Sequence, residues 1–299
     1  VGIRYQKLIY FLILAQLLIY PMRIIGRTII FILLLSSQRL MAQEWEFGMH
    51  VGGMGYIGEL NRHNPLKITD PAGSLFVRYA FTPYSGLKLS FTQGAIQGAD
   101  ANSKQQFEKA RNLSFSSNIT ELALNYEFYF FTFTPGSGKD RFTPYTFIGI
   151  AGFMFEPTAI YNGNTYNLRD LGTEGQGTPL NSAKKYSNTN YAIPFGIGMK
   201  YNFADNFNLG VELGYRNTFT DYLDDISKVY VDKTVLANNN GQLAAELSDR
   251  SGEINNGVNL GEAYTQRGDA SRRDFYMFAG LTISYTLTPI KCPKISNYR

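Results

Sequence analysis

The chain has 299 residues, of which 44% are hydrophobic, 15% aromatic and only 17% charged, below the ~25% charged content of ordinary soluble domains. Its formal charge of +4 comes from the first 42 residues, which carry Arg4, Lys7, Arg23, Arg27 and Arg39 and no acid; beyond them 23 of the 28 basic residues face 24 acids, so nothing calls for a nucleic-acid partner. The one cysteine, Cys292, excludes a disulfide framework or a cysteine-based zinc site within the chain.

The chain opens on two apolar runs, 8–20 and 28–35, separated by Pro21, Arg23 and Arg27. Read from Met22, "MRIIGRTIIFILLLSSQRLMAQ" has a basic start, a short apolar run and the small residue Ala42 before Gln43. That is the grammar of a secretory signal peptide over 22–42. The run is too short for the ~20 apolar residues of a membrane helix, which is the competing reading. Residues 1–21 are expected to be an upstream extension of the reading frame, since Val1 suits an alternative start codon. No cysteine lies near the cleavage point, which argues against a lipoprotein. Residues 43–299 then form the exported domain.

From residue 44 the dominant period is two, the mark of strands with unlike faces. Eight strands are expected, at 44–57, 73–82, 86–98, 115–131, 143–156, 189–202, 206–219 and 273–288. The first sets Trp45, Phe47, Met49 and Val51 against Glu46, Gly48, His50 and Gly52; the second sets Leu75, Val77, Tyr79 and Phe81 against Ser74 and Arg78. In the fourth, Leu122, Leu124, Tyr126, Phe128 and Phe130 oppose Glu121, Ala123, Asn125 and Glu127. The fifth is apolar on both faces, which leaves its register open. The seventh sets Phe207, Leu209, Val211, Leu213 and Tyr215 against Asn208, Gly210, Glu212, Gly214 and Arg216. The eighth alternates from Phe275 to Leu287 in the same way.

The connections alternate too. "TPYSG" (82–86) and "NFADN" (202–206) are tight, "TPGSGKD" (134–140) is modest, and the stretches near 58–72, 99–114, 157–188 and 220–272 are long and polar. Short turns at one end and long loops at the other suit an eight-stranded up-and-down antiparallel barrel of the outer-membrane type, with short periplasmic turns and long extracellular loops. The apolar faces would meet lipid. The faces rich in Gly, Glu and Arg would fill a lumen just wide enough for side chains. An aromatic girdle is expected at the periplasmic end from Trp45, Phe47, Tyr79, Phe81, Phe128, Phe130, Tyr145, Tyr201, Phe207 and Tyr285. The alternative is a secreted β-sandwich or lipocalin-like barrel.

Few motifs suggest chemistry. "GMGYIG" (53–58) matches G-x-G-x-x-G, but a loop follows it where a dinucleotide site needs a helix. "GSGKD" (136–140) lacks P-loop spacing. His50 and His63 are the only histidines; His50 is expected on the lumen face and His63 in a loop, a poor basis for a lipid-hydrolase triad. Asp221, Asp224 and Asp225 are oxygen donors of the kind calcium takes, with no recognisable calcium-loop spacing, so a hydrogen-bonded loop is the simpler account. Cys292, after the last strand, offers either a free thiol or an intermolecular bridge. No cofactor, metal, catalytic group or small-molecule substrate is expected.

Several stretches together resemble the PorG family: "YIGELN" (56–61), "NLSFSSNITELALNYEFYF" (112–130), "FTPYTFIGIAGFMFEPTA" (142–159), "LGTEGQG" (171–177), "AIPFGIGMKY" (192–201), "LGVELGYRNTFTDYLDDISKVY" (209–230) and "RGDASRRDFYMFAGLTISY" (267–285). The likeness covers most of 44–285, and its most specific parts are "LGTEGQG" and "TDYLDD". It implies an outer-membrane barrel of the Bacteroidetes type IX secretion system, with a structural role beside the periplasmic PorK–PorN rings and no catalytic residues. The residues singled out for partner contact are Cys292, Gly172, Glu174, Gly175, Asp221, Tyr222, Asp224 and Asp225. The other functions weighed are a generic barrel for envelope stability or small-ligand binding, and a membrane lipid hydrolase.

Overall fold

The computed structural model describes residues 44–287 apart from 63, 180, 182 and 183. The expected signal peptide, the upstream residues and Cys292 lie outside that range, as does His63. Nine strands form: β1 (Glu44–Ile57), β2 (Asp70–Thr82), β3 (Ser85–Ala99), β4 (Ser114–Tyr129), β5 (Phe142–Tyr161), β6 (Asn164–Asn167), β7 (Thr189–Ala204), β8 (Phe207–Thr218) and β9 (Phe275–Leu287). All pairings are antiparallel, in the order β4-β3-β2-β1-β9-β8-β7-β5, and β4 pairs with β5 to shut the circle. The fold is a closed eight-stranded barrel. Closure leaves no barrel strand with an open edge.

The ninth strand is an addition to the expected set. β5 runs on to Tyr161, turns at Asn162–Gly163 and pairs back as β6. Both turn residues have positive φ, 49° and 79°. Asn-Gly is the dipeptide that a two-residue hairpin of this twist selects.

The polarity of the barrel is inside out. Its buried lumen holds Glu46, Glu121, Glu127 and Glu212 with Arg78, Lys88, Lys200 and Arg216. Arg78 pairs with Glu46 and, through Nε, with Glu127 at 2.7 Å; Lys88 pairs with Glu212 and with Glu127. Lys200 reaches Glu46 at 3.0 Å, and Arg216 meets both Glu121 oxygens at 3.1 Å. Acids and bases match one for one. His50 lies in the lumen with its ring 4.0 Å from that of Phe278.

The outer wall is apolar. Val51, Leu75, Ile150, Ile197 and Leu281 are each more than 60% exposed, and Leu122 and Ile148 are nearly as bare. A belt of aliphatic side chains around the whole circumference is far larger than the patches soluble monomers leave in water. Its solvent is hydrocarbon, which a closed barrel can enter because every strand satisfies its backbone on its neighbours. Among the described residues no helix is long and apolar enough to cross a membrane; the strands do the crossing.

At the short-turn end, aromatic rings gather on the outer wall. Trp45 lies 4.8 Å from Tyr79, Phe128 5.6 Å from Phe130, and Phe207 5.1 Å from Tyr285. Tyr145 departs from the expected girdle. It points into the lumen and its hydroxyl donates to Glu212 Oε2 at 2.7 Å. With both faces of β5 apolar, hydrophobicity alone could not choose its register. The hydroxyl and the charges facing it do.

Candidate functional site

The four long connections, 58–69, 100–113, 162–188 and 219–274, fold together over one end of the barrel as a crown. They carry four helices: α1 (Gln106–Arg111), α2 (Leu168–Leu171), α3 (Lys233–Asn240) and α4 (Gln242–Ser248). The Asp232 side chain starts α3 by accepting from the N–H groups of Thr234 and Val235. Leu171, Leu236, Ala244 and Ala245 make a small apolar centre beneath these helices.

Two buried arginines join the loops. Arg267 donates through Nη1 to Glu174 Oε1 (3.0 Å) and to the Asp225 carbonyl (2.5 Å), and through Nε to the Ser248 carbonyl (3.1 Å). The Arg267 carbonyl in turn accepts from Arg111 Nη1 at 2.8 Å, and Arg111 forks onto both oxygens of Asp100 at 2.8 Å each. Glu174 Oε1 also accepts the N–H groups of Ser227 (2.8 Å) and Lys228 (3.0 Å). Asp225 accepts from the Tyr186 hydroxyl at 2.7 Å and from the Thr173 hydroxyl. The two motifs singled out in the sequence are therefore bonded to each other.

The glycines of "LGTEGQG" make that approach possible. Gly172 caps α2 in the left-handed region at φ 64°. Gly175, at φ 76°, packs so close to Val231 that a Cβ would sit 2.9 Å from its methyl. Tyr222 stacks on Tyr186 at 4.5 Å.

A second cluster lies where the crown meets β1. Oxygens of Glu59, Asp224 and Asp274, all buried, lie within 4.8 Å of one another. The Tyr56 hydroxyl, near the end of β1, is 2.5 Å from Asp224 Oδ2 and 3.0 Å from Asp274 Oδ1. Backbone N–H groups of Ile226, Leu223 and Asp269 donate to Asp224, Asp274 and Glu59 respectively. Burial, reinforced by the neighbouring carboxylates, holds Asp224 and Asp274 well above the usual aspartate range. Burial raises Glu59 as well, and lifts the nearby Asp221 to about 8. Asp225 is pushed up to about 6 by burial, against the pull of Arg267. Asp221 therefore holds its proton at neutrality, whereas Asp225 is mostly ionised there and pairs with Arg267. Glu59, Asp224 and Asp274 are also the donor set that a hard divalent cation would use.

The family model described as a domain of unknown function, DUF6089, matches residues 26–242, well over half of the 299 residues. The chain belongs to the DUF6089 family. The match takes in β1 to β8 and three of the four crown loops, with the fourth in part. No curated protein matches this DUF6089 chain. Among solved structures it is similar to the attachment invasion locus protein Ail of Yersinia pestis (11% identity, TM-score 0.38), covering 83% of this chain and 100% of that one. It is also similar to a major outer membrane protein of Thermus thermophilus (12%, TM-score 0.40, 83% and 100%). A third is OprG of Pseudomonas aeruginosa (12%, TM-score 0.35, 83% and 97%). The strand pairing itself establishes the fold. This DUF6089 chain is a small outer-membrane β-barrel.

Of the residues singled out in the sequence, Glu174, Asp224 and Asp225 are buried, Gly172 and Gly175 shape their loop, and Asp221 and Tyr222 are half-buried. The sequence did not single out Tyr56, Glu59, Asp100, Arg111, Arg267 or Asp274. Arg267 stands inside "RGDASRRD", with nothing in its neighbours to separate it from the exposed Arg272 and Arg273.

Proposed function

We propose that this barrel is a non-catalytic outer-membrane element of type IX protein secretion, exported by the signal peptide at 22–42, that anchors or docks the periplasmic PorK–PorN rings. The observation that carries the reading is the filled lumen. Four acids paired with four bases close the interior, so the barrel serves by what its two ends hold and not by what passes through it. The likeness of "LGTEGQG" and "TDYLDD" to the PorG family supplies the secretion context. On this reading the short turns face the periplasm and meet the rings, and Cys292 is a candidate contact for them. The crown faces outward, and Gly172, Glu174, Gly175, Asp221, Tyr222, Asp224 and Asp225 set the shape it offers to another outer-membrane component.

The test is co-purification of PorK and PorN with the detergent-solubilised barrel, before and after Cys292→Ser, together with cargo export in a deletion strain. Retention of the rings and loss of export support docking. Intact export with no ring proteins retained leaves a generic envelope barrel.

A further inference from the structure

Where the outward faces of β1 and β9 meet the crown, Arg62, Arg272 and Arg273 converge on one open cleft of about 320 Å³. All three are exposed. Ile57 and Phe275, paired across β1 and β9, form its apolar side. Arg273 holds its guanidinium 4.9 Å over the ring of Phe219, which is itself 48% exposed. Arg272 pairs with Asp269 at 3.3 Å; among the described residues Arg62 and Arg273 have no ion-pair partner. Glu59 lines the same cleft, but its carboxyl is buried and takes the Asp269 N–H. The cleft therefore presents three cations against one surface carboxylate.

Its height on the barrel matters as much as its charge. Phe275, the first residue of β9, stands ten positions along the strand from Tyr285, in the aromatic girdle at the short-turn end, and Arg273 precedes it by two residues. At ~3.4 Å per residue and a strand tilt near ~40°, the separation of Phe275 from Tyr285 is about 26 Å along the membrane normal, against a lipid-facing band ~25 Å tall. The guanidiniums thus lie at the headgroup level of the far leaflet, with the apolar side of the cleft at the edge of the hydrocarbon. Guanidinium forks bind phosphate through paired N–H···O bonds. A soluble phosphate would use the charge and leave Ile57 and Phe275 idle.

We propose that this cleft binds the phosphorylated headgroup of a glycolipid in the outer leaflet, with its first acyl carbons against Ile57 and Phe275. The assignment rests on the reading that the long loops face outward. The experiment is native mass spectrometry of the detergent-purified barrel with bis-phosphorylated lipid A, with the same lipid dephosphorylated, and with inorganic phosphate as competitor. The wild type is expected to retain one bis-phosphorylated lipid, and removal of the phosphates to lower occupancy by about tenfold or more. The triple variant R62Q/R272Q/R273Q is expected to show the same loss. Removing three exposed lysines elsewhere on the crown (K109Q/K184Q/K228Q) should leave retention unchanged.

Should the glutamine variant fail to give the heat-modifiable band of a folded barrel, R62K/R272K/R273K keeps the charge and removes the fork, and retention is expected to fall by about threefold. Equal retention of the dephosphorylated lipid, equal loss in the lysine control, unchanged retention in the Arg→Lys variant, or displacement by equimolar inorganic phosphate would each overturn the assignment. A wild-type barrel that does not enter liposomes overturns the membrane reading itself. Insertion without phosphate-dependent retention removes the cleft alone.

Discussion

Arg267 is one side chain with a large burden. It is buried, and it neutralises Glu174 and Asp225 while bonding two backbone carbonyls. Arg267→Met would leave those carboxylates without their cation, a change that costs ~3–5 kcal/mol when one partner of a buried pair is removed. The expected outcome is a crown cut quickly by protease over a barrel that still migrates as folded. Titration gives a second test. Asp221 and Asp225 hold their protons up to about 8 and about 6 in the folded crown, against an ordinary aspartate value of 3.8. The folded state therefore binds protons that an opened loop releases. This contribution to crown stability is full below about pH 4 and is lost as pH rises through 6 and then 8. Protease cleavage within 219–274, normalised to the denatured chain, is expected to speed up from pH 5 to pH 9. Asp221→Asn should flatten the upper part of that rise, and an unchanged profile would refute the assignment to Asp221.

At the level of strands, the alternation in the sequence carried most of the architecture because lipid outside and charge inside leave little ambiguity. Each expected strand has its counterpart, offset by only a few residues at its ends. Two features escaped for separate reasons. β5 is apolar on both faces, so hydrophobicity cannot put Tyr145 on the lumen side, where its hydroxyl meets Glu212. The Asn162–Gly163 hairpin is too short to show a strand period within the long polar stretch near 157–188. The crown was far less legible, since its pairs join segments distant in sequence: Tyr56 to Asp224, Arg111 to the Arg267 carbonyl, and Thr173 to Asp225. No periodicity reports such contacts. One strand pair offers a direct test. Gly52 and Gly280 face each other across β1 and β9, and a Cβ on either would run into the backbone of the other strand. Gly280→Val is expected to cost at least ~1–3 kcal/mol by overpacking and to lower the yield of heat-modifiable barrel at the seam that joins first strand to last.

For the whole molecule, the paired interior predicts electrical silence. Reconstituted in a planar bilayer, the barrel is expected to give no steady ion conductance, because its lumen is occupied by side chains bonded across it. Arg216→Met alone should destabilise it by ~3–5 kcal/mol and Arg216→Met with Glu121→Gln by clearly less. Unfolding by urea in detergent reads the difference, with Glu121→Gln alone completing the cycle, and a double loss equal to the sum of the two single losses would mean that the pair is not coupled. Those same bonds tie opposite walls: Lys88 on β3 to Glu212 on β8, Arg216 on β8 to Glu121 on β4, Lys200 on β7 to Glu46 on β1. A cylinder cross-braced in this way resists both flattening and the sliding of one stave past the next. A push on one end of the barrel must then reach the other end as the pivoting or swivelling of one stiff peg in its bilayer socket.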